Sequence, residues 1–356
     1  MSKLKIAIIC GGKSSEHEIS CISAGGVLGA IDRTQYEPIL IGITKSGKWV
    51  LIPQDHPMAI SGKTLPSVPE SAPAVVADVA GFTSGGRSLA IDIVFPLLHG
   101  PFGEDGTIQG LLEIADIAYV GSGVLASAVA MDKSFAKPIF ASHGIATAPG
   151  LVVKKSDWGN RSAEITKEVA ALGYPVFVKP ARGGSSRGTS KVKSEGDLLA
   201  AVLEAFTFDP KIMIESAIVG SEIECAVLEI DGQPQASIVG KIVIDSRFEF
   251  YDFEAKYLDG ATDIELPAPI TATSAEAIRQ AAIAAFTALG CSGLARVDFF
   301  LTTSGQVIIN ELNTMPGFTS TSVFPKMWAA SGVSYTEVIT HLLQSAQART
   351  NGPLGN

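Results

Sequence analysis

The stretch from Ala295 to Asn313 carries the residue types and spacing best suited to chemistry. Ser304-Gly305 reads as a two-residue hairpin turn between two apolar strands. That turn sets Asp298 opposite Glu311 and Arg296 opposite Asn313, and the period of two along a strand puts all four on one face. Phe300 and Ile309 share that face, which argues against a merely solvated one. Carboxylates side by side repel, and each raises the other's pKa unless a cation lies between them. Asp, Glu and Asn oxygens are hard ligands suited to Mg²⁺, completed by substrate phosphate and water. The plainer alternative is an exposed polar edge on which Arg296 forms an ion pair.

Two glycine loops compete for phosphate. Gly121-x-Gly123-x-x-Ala126 fits the permissive dinucleotide pattern after the apolar run Ile117–Val120. A ribose-binding acid is expected about 20 positions on, yet Lys133 to Lys155 contains no Asp or Glu, so a tight turn is the better reading. Gly183 to Gly188 has the G-x-x-x-x-G spacing of a P-loop, but Thr189 stands where the lysine belongs and a strand follows instead of a helix. A Gly- and Ser-rich hairpin still offers backbone N–H groups and hydroxyls to phosphate, with Lys179 as the fixed cation. A plain flexible tip is its alternative.

Several elements must position these groups. Lys5–Cys10, Pro38–Ile43 and Ile91–Pro96 read as short buried strands, with helices at Ile19–Ile31 and Thr107–Ala115. Strand alternating with helix predicts a parallel α/β layer. Pro53 to Ser88, rich in Pro, Gly, Ser and Ala, reads as an insertion or long surface loop. Asp132–His143 is expected as a helix, followed by a strand at Leu151–Lys154 and a helix through Ala163–Leu172. Strands Val176–Lys179 and Ser190–Lys193, a helix at Glu195–Phe206 and a strand at Ile212–Glu215 come next. From Glu222 alternating strands dominate, with helices at Ala275–Leu289 and near Tyr335–Gln347. The boundaries fall near 131 and 216, which gives domains 1–131, 132–216 and 217–356, without an internal repeat.

Composition narrows the class. The 356 residues are 46% hydrophobic and 18% charged, which excludes disorder as the main state. A formal charge of −9 and the lack of a local basic patch argue against a nucleic-acid partner. Cys10, Cys21, Cys225 and Cys291 form no C-x-x-C pair and read as buried thiols of a reducing compartment. The apolar run Ile6 to Cys10 behind Lys3 and Lys5 is too short for a signal peptide, and no segment reaches the ~18 apolar residues of a membrane span. A soluble cytoplasmic enzyme without membrane or nucleic-acid partners is expected.

A lysine, a glycine-rich lid and acidic metal ligands on separate strands imply ATP chemistry without a P-loop. The set resembles the ATP-grasp superfamily, and within it the D-alanine–D-alanine ligases over nearly the whole chain. The carrying segments are Gly11 to Ser20, His99-Gly100 through Glu104-Asp105-Gly106-Thr107, Met131-Asp132-Lys133, Lys179-Pro180 to Gly188, Glu254-Ala255-Lys256-Tyr257, Arg296-Val297-Asp298 and Asn310 to Gly317.

The resemblance implies an α/β (α+β ATP-grasp) fold: an N-terminal parallel α/β domain, a small central α/β lid domain and a C-terminal antiparallel-sheet catalytic domain. By similarity, Lys133, Lys179 and Lys256 contact ATP phosphates, and Ser185 and Ser186 sit in the closing loop. Glu215 and Ile218 resemble adenine-edge contacts, Glu222 the ribose ligand, and Phe250 and Phe300 pack near adenine. Asp298, Glu311 and Asn313 resemble the ligands of two Mg²⁺ (or Mn²⁺) ions. Glu16 matches the residue that orients the first D-alanine ammonium, and His99 the one near its carboxylate. Arg296 and the Gly317 N–H would hold the oxyanion, and Ser322 with the Val323 backbone the second carboxylate. Glu16, Ser185 and Tyr257 would tie the lobes closed. The implied substrates are ATP and two molecules of D-alanine, joined through a D-alanyl phosphate for peptidoglycan precursors, and the implied assembly is a homodimer.

Arg187 departs from the small apolar residue expected in this loop, and Pro53–Ser88 carries no motif. Three other readings are weighed. A nicotinamide dehydrogenase lacks its ribose acid, and a non-catalytic binder has no use for Lys179, Asp298, Glu311 and Asn313 together. A D-alanine–D-lactate ligase is disfavoured by Tyr257.

Overall fold

The computed structural model describes residues 3–60, 62, 64–244 and 262–349. The chain opens with β1 (Leu4–Gly11), α1 (His17–Ala30), β2 (Tyr36–Ile43) and β3 (Trp49–Leu51). In β1, Ile6, Ile8 and Cys10 face one apolar core while Ala7 and Ile9 face another, so the uninterrupted apolar run is a strand covered on both faces. On α1, Cys21, Ala24, Val27 and Leu28 form the helical stripe that covers the sheet. Gly11 ends β1 at φ +89, where a Cβ would lie 2.3 Å from the Ile43 carbonyl; only glycine lets the chain turn there and deliver Glu16.

The segment expected as a long loop is in part a small sheet, β4 (Val75–Asp78), β5 (Gly81–Ser84) and β6 (Arg87–Ser88). Gly85 and Gly86, at φ +55 and +75, form the mirror-image turn that suits a two-residue hairpin, and Ser84 pairs with Arg87 across it. Val75 and Phe82 are buried, and the Phe82 ring meets Trp49 at 6.1 Å.

Next come β7 (Ile93–Pro96), α2 (Thr107–Ile114), β8 (Ala118–Tyr119) and α3 (Val124–Met131). The first sheet runs β3-β2-β1-β7-β8, parallel except for β3. The Gly121 loop is a turn, as expected, at φ +96. Arg349 closes it off by donating to the Gly121 and Tyr119 carbonyls. Its guanidinium also stacks 4.3 Å from the Tyr119 ring. Helix α3 behind that turn was not expected.

The middle layer contains α4 (Lys133–Ser142), β9 (Gly150–Lys154), α5 (Lys155–Leu172), β10 (Val176–Pro180), β11 (Ser190–Val192), α6 (Glu195–Phe208) and β12 (Lys211–Ser216). Its antiparallel sheet, β11-β10-β12-β9, packs on α5 and α6 through a core of Val153, Val169, Val178, Val202 and Ile214. Helix α4 starts on an Asp132 cap, whose carboxylate accepts from the Ser134 N–H. Its Ala136 and Phe140 pack into the core of the third layer.

That third layer holds β13 (Gly220–Ile230), β14 (Gln233–Ile244), β15 (Thr262–Glu265), α7 (Ala272–Ala288), β16 (Leu294–Thr302), β17 (Val307–Asn313), α8 (Val323–Ala330) and α9 (Tyr335–Ala348). The sheet order is β15-β14-β13-β16-β17, antiparallel throughout. Helix α8 is another unexpected element, whereas α9 begins on a Ser334/Glu337 capping box. Among the described residues no helix is long and apolar enough to cross a membrane.

Candidate active site

The pairing at the end of β16 and β17 is the expected one: Asp298 faces Glu311 and Arg296 faces Asn313. The route to it differs. The loop is one residue longer than a two-residue turn, because Thr302 N–H bonds the Gln306 carbonyl. That loop pairs Phe299 with Ile309 and Phe300 with Ile308, and a bulge between Asp298 and Phe299 restores the expected register at the site. Phe300 and Ile309 therefore do not lie opposite each other; Ile309 and Phe299 are core.

Arg296 Nε and Nη2 donate to the two oxygens of Asp298, each at 2.8 Å, and Nε is 3.2 Å from Glu224 Oε2. Asn313 Nδ2 donates to Asp298 Oδ2 at 3.1 Å, and Lys133 Nζ is 2.9 Å from Glu311 Oε2. The Arg296 ion pair thus exists, but at 17% and 14% exposure it is no surface edge. Among the described residues no group of three or more His, Cys, Asp or Glu gathers as a metal site. The donor set here is two opposed carboxylates and one amide. It fits a hard divalent cation, since each carboxylate already requires a positive partner and Asn313 keeps its carbonyl oxygen as a ligand.

Facing this pair is a lysine cluster. Glu215 on β12 is shared: Lys137 Nζ donates to Oε1, and Lys179 Nζ lies 2.5 Å from Oε2. Lys179 also donates to Asn310 Oδ1 at 3.1 Å. Burial would push the Glu215 carboxyl up, but the Lys179 and Lys137 charges and hydrogen bonds outweigh it and hold the pKa at about 2. Burial pulls Lys137 down to about 8, with the Lys179 charge adding to it and Glu215 opposing. Glu215, expected at the adenine edge, thus has both oxygens engaged by lysines.

The β10–β11 loop covers the cluster. Lys133 N–H and Nζ donate to the carbonyls of Ala181 (3.0 Å) and Gly183 (2.8 Å), and Ser185 Oγ donates to Glu16 Oε1 at 2.6 Å. Ser185 and Ser186 hold φ of +51 and +55, left-handed conformations that cost roughly 1–3 kcal/mol each in non-glycine residues. Gly188 (φ +69) brings the chain against Phe208, and the Arg187 guanidinium stacks on the same ring at 5.8 Å. The lid charge is thereby anchored on α6.

Of the residues expected to meet substrate, His99, Gly317 and Ser322 lie in the loops after β7 and β17. His99 is buried, which lowers its pKa despite the nearby Glu16 charge. A neutral ring that donates from Nδ1 to the Met315 carbonyl (3.1 Å) and accepts at Nε2 from Ser23 Oγ (3.3 Å) satisfies both contacts. Ser322 stands at the N-cap position of α8 without a side-chain capping bond and Val323 opens the helix, so first-turn N–H groups and the positive helix end are presented there. Ser322 Oγ accepts from Thr319 N–H at 3.1 Å, and Gly317 lies beside it.

A cleft of about 580 Å³ is lined by Lys133, Lys179, Ser186, Glu215, Ile218, Glu222, Asp298, Phe300 and Glu311. The expected nucleotide residues are therefore brought together, apart from Phe250 and Lys256, which with Tyr257 lie outside the described residues. Glu16, Ser185, His99, Arg296, Asn313, Gly317, Ser322 and Val323 are not among the cleft's lining. Two functional groups escaped the sequence reading. Lys137 sits four residues after Lys133, a helical spacing that could have found it. Glu104, inside a quoted segment, accepts from Gly100 N–H at 2.6 Å and Met315 N–H at 3.3 Å. Burial and the Glu16 charge push its carboxyl up to about 8.

The chain also matches known proteins in sequence and in fold. The family model described as "D-ala D-ala ligase N-terminus" matches residues 5–122, and that described as "D-ala D-ala ligase C-terminus" matches 139–344. The chain is 49% identical to the D-alanine–D-alanine ligase of Arthrobacter sp. (strain FB24), covering 99% of this chain and 96% of the relative. It is 47% identical to that of Mycobacterium tuberculosis (strain CDC 1551), over 98% and 97%. Among solved structures, the VanG D-Ala:D-Ser ligase of Enterococcus faecalis superposes with a TM-score of 0.85 at 38% identity, covering 97% of this chain and all of that one. The D-alanine–D-alanine ligase of Coxiella burnetii gives 0.84 at 35% identity, over 98% and 96%.

Proposed function

The chain belongs to the D-alanine–D-alanine ligase family, and from that premise we propose how its cleft and loops divide the reaction. The protein is an ATP-dependent ligase that joins two D-alanines for peptidoglycan precursors. A carboxylate is a poor acyl donor, so γ-phosphoryl transfer from ATP, which leaves ADP, first converts the D-alanine carboxylate to D-alanyl phosphate. The neutral amine of the second D-alanine then attacks the acyl carbon, forming the amide and expelling phosphate.

The observation that carries this reading is the opposed Asp298–Glu311 pair facing Lys133 and Lys179 across one cleft. Lys133, Lys179 and Ser186, with Lys256, receive the phosphates. Ile218, Phe300 and Phe250 flank adenine, and Glu222 takes the ribose. Because Glu215 is committed to two lysines, the connector meets the adenine edge through its backbone. Asp298, Glu311 and Asn313 would hold two Mg²⁺ ions, which when bound neutralise charge on the transferring phosphoryl group. Glu16 orients the first D-alanine ammonium and His99, a neutral donor–acceptor ring, lies at its carboxylate. Asp298 fixes the plane of the Arg296 guanidinium, which with the Gly317 N–H receives the oxyanion of the tetrahedral intermediate. Ser322 and the Val323 N–H at the start of α8 take the second carboxylate. The Ser185–Glu16 contact, joined by Tyr257, shuts the lid and keeps water from the acyl phosphate. A homodimer and a cytoplasmic setting complete the reading, the latter supported by four free thiols.

Phosphate release is to be measured with ATP and D-alanine, L-alanine, D-serine and D-lactate offered separately. Wild type should turn over with D-alanine alone. Glu311→Gln keeps the shape and removes a charge, so turnover should fall by at least ~10²-fold while the fold persists. Near-wild-type turnover of that variant at saturating Mg²⁺ would contradict the carboxylate-pair reading.

A further inference from the structure

Lys137 has no part in the roles above, yet it is more enclosed than Lys133 or Lys179 in the same cleft. Its side chain is 6% exposed, that of Glu215 5% and that of Lys179 12%. We propose that Lys137 is a positioning residue: it takes one oxygen of Glu215, so that this carboxylate holds Lys179 at the cleft wall without neutralising it. The inference rests on the reading that Lys179 meets the nucleotide phosphates.

The geometry supplies the reason. Lys133 and Lys137 are one helical turn apart on α4 and line the same cleft. With Lys137 on Oε1, Glu215 offers only Oε2 to Lys179, whose other acceptor, Asn310 Oδ1, comes from the facing β17 strand. Without Lys137, both oxygens of Glu215 would turn to Lys179 and form a neutral pair. Three ammonium groups, Lys133, Lys137 and Lys179, now share the carboxylates of Glu215 and Glu311. The cluster therefore keeps a surplus positive charge in a poorly solvated wall, where it acts strongly on an incoming polyanion. Removing two ammonium groups and a carboxylate from water is unfavourable, and an apolar side chain at 137 would pack with less loss. An anion-binding role accounts for that cost.

A pH signature follows from the groups that face Lys137, namely Glu215, Lys179 and Lys133. Burial and the two lysines favour loss of its proton, Glu215 opposes it, and the balance puts Lys137 at about 8. A bound polyphosphate favours the ammonium, so nucleotide affinity should decline as pH rises through that value. Variants lacking the Lys137 amine should lack that inflection.

The test uses the full chain, a non-hydrolysable ATP analogue with Mg²⁺ in calorimetry, and steady-state kinetics. Lys137→Met should weaken analogue binding and raise KM for ATP by ~10-fold while KM for D-alanine changes less than ~2-fold. If Lys137→Met does not fold, Lys137→Gln, which keeps a donor for Glu215 but no charge, should show the same direction. In the Glu215→Gln background, Lys137→Gln should cost less binding than it does in wild type, because part of its effect runs through that carboxylate. Unchanged affinity and pH profile in the Lys137 variants, or losses that multiply in the double variant, would overturn the proposal. Lys179→Met separates the two levels. If it binds the analogue like wild type, the nucleotide reading itself fails and the Lys137 role fails with it. If it loses binding while Lys137 variants do not, only the Lys137 role fails.

Discussion

The middle layer is joined to its neighbours in a different way from that in which those neighbours are joined to each other. One apolar core runs from β1 and α1 through Ala226, Leu228 and Leu294 to Phe318, α8 and α9, so the two ends of the chain form one dry body. The middle layer has a separate core of Val153, Val176, Val178, Val202 and Ile214. Helix α4 goes with the third layer through Ala136 and Phe140. The β9–β12 sheet with α5 and α6 is instead tied outward by Ser185 to Glu16, Lys179 to Asn310 and, towards α4, Gly183 to Lys133 and Lys211 to Asp132, all polar. An apolar joint must expose surface to open, whereas polar groups can exchange partners with water or ligand at small net cost. The fixed parts of the site therefore stand on the shared core, and the part that must admit ATP stands on the separate one.

Core truncations should break this comparison most visibly. Leu342→Ala in α9 leaves a cavity in the shared core and should cost about 2–5 kcal/mol, lowering the main unfolding transition. Val202→Ala in α6 should cost about 2 kcal/mol, with hydrogen exchange rising across 150–216 and little elsewhere. Equal loss of protection in β1 and β13 on Val202→Ala would show that the layers unfold as one.

A smaller effect is expected at the latch. Ser185→Ala removes one hydrogen bond to a carboxylate, so kcat/KM should fall by ~10-fold. Proteolysis within 181–189 should quicken, and the melting temperature should hardly move. Ser185→Gly suits the left-handed φ and relieves strain but also lacks the hydroxyl. It should be as impaired as Ser185→Ala. A Gly variant with wild-type activity would assign the role of Ser185 to backbone shape instead of the latch.

Legibility in the sequence followed the range of the forces involved. Buried strands such as β1 and the capped helix α9 are written in local patterns, and they stand where expected. The Asp298–Glu311 pairing was readable too, but for an incomplete reason: a longer loop and a bulge shift the register in opposite senses and cancel at the site. The β4–β6 sheet had its signal in Gly85-Gly86, obscured by the Pro- and Ser-rich stretch before it. Helix α8 is short, and its burial depends on Phe318 and the distant first sheet rather than on its own period. The Lys137–Glu215–Lys179 sharing joins three elements across 78 residues of sequence, which no spacing rule reaches.

Glu104 sharpens the comparison because it is a buried carboxyl group at the joint of the first and third layers, where the shared core is apolar. It accepts from Gly100 N–H after β7 and Met315 N–H after β17. Burial and the Glu16 charge raise its pKa to about 8, while those two N–H groups and Arg296 pull the other way. The sign follows from proton binding. Between the ordinary carboxyl value, about 4.5, and about 8, the folded chain holds a proton there that the unfolded chain has released. The contribution of Glu104 to stability is thus fully present below the lower value and is lost as pH rises towards the upper. Glu104→Gln cannot ionise, and it gives up one acceptor oxygen, a defect that is the same at every pH. The informative quantity is therefore the melting-temperature difference between variant and wild type at pH 5 and at pH 8. It should move in favour of Glu104→Gln by about 2 °C or more across that interval. A difference that does not change with pH would mean that Glu104 stays ionised throughout, with Arg296 and the two N–H groups outweighing burial. The union of the layers would then rest on a charged hinge pin at the floor of the substrate site.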